Sequence, residues 1–205
     1  MTRQYLALGD SYTIGEGVSA SECWPIRLAA ALRAARVRVR DPTIVAKTGW
    51  TTAELLGVLT TITPPLKGDY DLVTLLIGVN DQYRGLGVEW FRARFLELLS
   101  KAVWYARGMA SRVVVVSIPD WSVTPFASAD PRGADAIARE IDRFNAVAHD
   151  DVCAAGAAFV DVTTLSRGAE RIPALLADDG LHPSGEMYRR WVRAIRPAAL
   201  TALRR

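Results

Sequence analysis

Apolar positions along the chain fall into two alternating kinds of run. Five are short and strand-sized: Gln4–Leu8, Thr43–Ala46, Leu72–Ile77, Val113–Ile118 and Ala158–Val162. The third and fourth are nearly unbroken, as expected of strands covered on both faces, and the fourth is rich in β-branched residues. Between them, apolar residues recur at steps of three or four. The spacing predicts helices from Pro25 to Arg36, from Thr51, from Val88 to near Gly108, from Asp130–Pro131 to Gly156, and after Pro183 with a bend or restart at Pro197. Pro25 suits a first helical position, and Thr51 with Glu54 has capping-box spacing.

Five strand-then-helix units without a hairpin signal predict an α/β fold. The expected form is a three-layer sandwich around a five-stranded, doubly wound, flavodoxin-like parallel sheet. No internal repeat or linker divides the chain, so residues 1–205 are expected to form one domain.

Composition changes this picture little. Hydrophobic residues make up 50% and charged residues 23%, a globular balance. The net charge of +3 comes from scattered basic residues, which argues against nucleic acid as a partner. No apolar run reaches membrane-spanning length. The first motif begins at Gly9, leaving no room for a signal peptide, and a cytoplasmic location is expected. Cys23 and Cys153 match no metal or redox spacing and are read as small buried hydrophobes; neither a metal nor a cofactor is expected.

In open parallel sheets, ligands bind beyond the carboxyl ends of the strands. There the chain places Gly9-Asp10-Ser11-Tyr12, Lys47-Thr48-Gly49-Trp50, Gly78-Val79-Asn80-Asp81, Pro119-Asp120-Trp121 and, after a longer segment, Asp179-Gly180-Leu181-His182-Pro183. A serine nucleophile needs an oriented base, and there are two histidines. His149 falls mid-helix and reads as a surface or boundary residue. His182 lies in a loop, three residues after Asp179, close enough for a turn to bring that carboxylate to one ring nitrogen. Asp178 is the adjacent alternative. Each block alone is also an ordinary turn or cap. A different class, a nucleotide- or flavin-binding domain, finds support only in Gly15-Glu16-Gly17, which lacks a fingerprint spacing.

Taken together, Gly9-Asp10-Ser11-Tyr12-Thr13-Ile14-Gly15, Gly78-Val79-Asn80-Asp81 and Asp179-Gly180-Leu181-His182-Pro183-Ser184 resemble the blocks of the SGNH hydrolases, or GDSL-type esterases and lipases. The blocks come in that family's order and span nearly the whole chain. Tyr12 stands where the GDSL name has leucine, and the second block is carried by Gly49 alone. The resemblance implies an esterase acting on a small-molecule ester or thioester through an acyl-enzyme. It assigns Ser11, Asp179 and His182 as the triad, and the Ser11 and Gly49 N–H groups with the Asn80 amide as the oxyanion hole. Segments 82–87 and 121–129 are expected to line the acyl site, with Trp121, Val123, Pro125 and Phe126 as its apolar wall and Trp121 and Phe126 as substrate-binding residues.

Overall fold

The computed structural model describes residues 2–204. Strands β1 (Tyr5–Gly9), β2 (Thr43–Ala46), β3 (Leu72–Leu76), β4 (Val113–Val116) and β5 (Ala158–Val160) form one parallel sheet in the order β2-β1-β3-β4-β5. Every residue of β1, β3 and β4 is buried, which explains their continuous apolar runs. Register is set by pairs such as Leu8 with Val45 on one side of β1 and with Leu75 on the other.

Eight α-helices accompany the strands among the described residues: α1 (Ser11–Ile14), α2 (Trp24–Ala34), α3 (Thr52–Thr61), α4 (Val79–Tyr83), α5 (Val88–Tyr105), α6 (Ala134–Ala154), α7 (Thr163–Ser166) and α8 (Gly185–Arg204). Helix α2 packs against α8, whereas α5 packs against both α3 and α6, so the sheet is covered on both faces. Strand order reverses between β1 and β3. A crevice opens there because the chain leaves β1 and β3 toward opposite edges of the sheet.

Several predicted boundaries move, each for a local reason. Strand β4 stops at Val116 because the Asn145 side chain takes over the ladder: Ile118 N–H donates to its Oδ1 (2.8 Å) and its Nδ2 donates to Ile118 O (2.9 Å). Helix α2 ends at Ala34, two residues early, before Arg36 turns left-handed at φ 63°. Helix α6 starts at Ala134 instead of Asp130–Pro131. Asp130 binds Arg132 through both backbone and guanidinium, and these bonds lower its carboxyl to about 2, so it is not free to cap the helix. The expected break at Pro197 does not occur, and α8 runs through it. Pro197 and Arg193, whose carbonyl loses its N–H partner, both face solvent, so water can satisfy the freed oxygen. No helix among the described residues is long and apolar enough to cross a membrane.

Candidate active site

The nucleophile candidate stands on a sharp strand-to-helix turn. Gly9 ends β1 where a Cβ would overlap the Thr13 hydroxyl and the Leu76 carbonyl, so only glycine lets α1 fold back this closely. Asp10 caps α1 by accepting the Tyr12 N–H (3.0 Å), and Ser11 opens the helix, 5% exposed. In a first helical turn the backbone N–H groups have no intrahelical acceptor, leaving that of Ser11 available to a ligand. Burial, helped by nearby Asp81, pushes the Asp10 carboxyl up to about 8 against the Tyr12 hydrogen bond.

His182 reaches the same place from a loop tied at its neck, where Ala177 N–H donates to His182 O (2.8 Å) and Ser184 N–H to Leu175 O (2.8 Å). Inside the loop, Asp179 Oδ1 accepts the N–H groups of Leu181 and His182, both at 2.9 Å. Its Oδ2 lies 2.6 Å from His182 Nδ1, and Nε2 lies 3.1 Å from Ser11 Oγ. Partial burial raises the Asp179 pKa. The two N–H groups and the imidazole outweigh that effect, so the net shift is below the ordinary carboxylate value. Asp178 faces solvent.

Asn80 and Gly49 come from the next two strand ends. Lys47–Trp50 is a turn closed by Trp50 N–H to Lys47 O (3.3 Å), and Gly49 at φ 79° takes its left-handed position. Asn80, in α4, donates one Nδ2 hydrogen to Trp50 O at 2.9 Å, which leaves the second hydrogen free. Buried Asp81 accepts from Thr52 N–H (2.8 Å) and Thr52 Oγ1 (2.6 Å), locking the start of α3 to α4. The positions of Gly49 and Asn80 are thereby fixed against each other.

Ser11, His182, Gly49 and Asn80 all border one cavity of about 140 Å³. Its far wall is Tyr83, Trp121 and Phe126, packed edge-on or tilted with ring centres 5.5–6.0 Å apart. Trp121 is held by its indole N–H on Gln82 Oε1 (2.8 Å) and by the Arg132 guanidinium over its ring. Of the expected lining, Trp121, Phe126 and Tyr83 arrive. Val123 and Pro125 do not: the Thr124 N–H and hydroxyl both turn back to Trp121 O, and those two side chains line a different hollow. Gln82 stands behind Trp121, and residues 85–87 border another hollow beside Phe144. Tyr12, Thr48, Val79 and Leu181 also line the cavity, and the sequence marks them only by position, next to Ser11, Gly49, Asn80 and His182.

His149 is exposed on α6, as expected. Cys23 is buried, but Cys153 is exposed, correcting the expectation of a buried thiol. Its alanine-rich surroundings belong to the outer face of α6, where Cys153 Sγ lies 3.6 Å from His149 Nε2.

A serine, an imidazole and a carboxylate in hydrogen-bonded series, at the switch point of a doubly wound sheet, define a serine-type hydrolase of the α/β class. Residues 7–190 match the model of the GDSL-like lipase/acylhydrolase family, and the chain belongs to that family. It is a carboxylic ester hydrolase. Similar solved structures include an acetylxylan esterase, Axe2, from Geobacillus stearothermophilus (18% identity, TM-score 0.73, covering 96% of this chain and 94% of that one). They also include TesA (21%, 0.68, 98% and 100%) and the psychrotrophic esterase EstA from Pseudoalteromonas sp. (18%, 0.67, 98% and 97%). At these identities they share the fold. No curated protein matches the chain.

Proposed function

We propose that the enzyme cleaves esters of short acyl groups, with Ser11 as nucleophile, His182 as general base and acid, and Asp179 as the residue orienting His182. The observation that carries this reading is the continuous series from Ser11 Oγ to His182 Nε2 (3.1 Å) and from Nδ1 to Asp179 (2.6 Å). Ser11 Oγ attacks the carbonyl carbon while its proton passes to Nε2. The oxyanion is received by the N–H groups of Ser11 and Gly49 and by the free hydrogen of Asn80 Nδ2. Collapse expels the alcohol or thiol, which takes the proton from His182, and water then repeats the sequence on the acyl-enzyme. Each oxyanion donor acts on charge present only in the transition state, with an effect of about a hundred-fold or more on kcat.

Cavity size supports the short acyl group. The cavity measures about 140 Å³ and opens to solvent past Tyr83 and Phe126; an enclosed cavity of roughly 150 Å³ holds one benzene ring. A neighbour named as an acetylxylan esterase is in keeping with an acyl site of this scale. The test is a panel of aryl esters from acetyl to palmitoyl, with acyl-CoA and acetylated sugars alongside. The expected kcat/KM is highest for acyl groups of about two to four carbons and falls by roughly ten-fold or more at long chains, which would have to pass the Tyr83–Trp121–Phe126 wall. A maximum at palmitoyl would refute the short-acyl assignment.

A further inference from the structure

The Gly15-Glu16-Gly17 stretch, which a nucleotide-binding reading would have used for phosphate, folds over the Asp179–His182 loop. A Cβ added to Gly17, at φ 82°, would lie 2.7 Å from Ala177 Cβ and 3.7 Å from His182 Cβ, so the two loops are in direct contact. This packing brings Glu16 Oε2 to 3.9 Å from His182 Nε2, the nitrogen that faces Ser11. The same oxygen accepts the hydroxyl of Thr48, next to Gly49. Glu16 is half-buried, and its one ion-pair neighbour among the described residues is His182.

The imidazole is therefore flanked by two carboxylates, Asp179 at Nδ1 and Glu16 beyond Nε2. Two further ionisable groups on this side are phenols. Tyr12 of α1 has its ring centre 5.5 Å from that of His182, and Tyr188 of α8 lies behind it; burial keeps both protonated. Asp10, which accepts the Tyr12 N–H, and Asp120 are further acids acting on Tyr12.

We propose that Glu16 is a positioning residue whose charge stabilises the imidazolium formed when His182 takes the Ser11 proton, and which selects against anionic leaving groups. The inference rests on the serine-hydrolase reading of the same site. An opposite charge within about 4–6 Å favours the protonated imidazole, and the benefit is largest in the transition state, where that proton is in transit. The leaving atom must come within about 3 Å of Nε2 to be protonated. It therefore passes within about 7 Å of Glu16, inside the roughly 8 Å screening length of physiological salt. A phosphate or carboxylate directly beside the leaving atom is repelled there, and a neutral or cationic group is not.

The test compares wild type, E16Q and E16D on phenyl acetates carrying a neutral, a carboxylate or a trimethylammonium substituent ortho to the ester oxygen. Glutamine keeps the acceptor for Thr48 and removes only the charge, so a structural role predicts no change. The expected result for E16Q is a plateau kcat lowered about three- to ten-fold with KM on the neutral ester little changed. The anionic-to-cationic ratio of kcat/KM rises about five-fold or more, and E16D restores most of the wild-type behaviour. An unchanged plateau kcat and charge ratio in E16Q, with Ser11 of both proteins still labelled by a fluorophosphonate, overturns the role of Glu16 alone. Absence of both labelling and hydrolysis in the wild type overturns the site reading, and this inference with it.

Discussion

Asp179 performs two tasks with its two oxygens, and they separate by mutation. Oδ1 shapes the loop through two backbone N–H groups, whereas Oδ2 holds the imidazole. Asparagine preserves the first through its carbonyl oxygen but offers Nδ1 no anion, so it permits the wrong tautomer and stabilises the imidazolium less. Asp179→Asn is expected to fold normally and to lose about a hundred-fold or more in kcat/KM. Asp178→Asn, a solvent-facing change, is expected to stay within about three-fold of wild type. Parallel kinetics with circular dichroism check the pair; a larger loss at Asp178 would reassign the orienting carboxylate.

At the scale of elements, the oxyanion side depends on how α3 begins. Thr51 accepts the Glu54 N–H, and Glu54 returns a bond to the Thr51 N–H, a complete capping box two residues after Gly49. Thr51→Ala is expected to lower unfolding free energy by about 1 kcal/mol in urea titration; no change would mean that the Asp81–Thr52 bonds alone hold the helix start. This cap was legible in the sequence because its signal is local. So were the doubly wound parallel sheet and the meeting of Ser11, Asn80 and His182, since parallel connectivity sends every strand end to one edge. What sequence left hidden was decided by individual side-chain bonds that no periodicity announces. One is distant in the chain, Asn145 of α6 truncating β4; two are local, Arg132 diverting Asp130 from capping and Thr124 turning Val123 and Pro125 away from the cavity. Glu16 was visible only as the middle of a glycine pair, because its neighbour His182 lies 166 residues on.

For the molecule as a whole, Asp10 couples the site to stability. Its carboxyl is raised from an ordinary value near 3.8 to about 8 by burial, and one oxygen has no partner. A raised folded-state value means its favourable contribution is complete below the unfolded value and is lost as pH climbs through about 8. Asp179 has the opposite sign: its lowered value gives stability above the unfolded value that is lost as pH falls. Asn at position 10 keeps an oxygen for the Tyr12 N–H and cannot ionise. The D10N variant is therefore expected to lose less stability than wild type between pH 6 and pH 9, measured by urea unfolding at each pH. Equal slopes would show that Asp10 is ionised throughout or solvated.

The central claim, that Ser11 is the nucleophile activated by His182, is tested most directly by covalent capture. Wild-type protein treated with a fluorophosphonate and digested for mass spectrometry should carry one adduct, on the peptide containing Ser11. Ser11→Ala should carry none, His182→Ala should react at least about a hundred-fold more slowly, and His149→Gln should react as wild type does. Labelling at another serine, or unimpaired labelling of Ser11 in His182→Ala, would contradict the account.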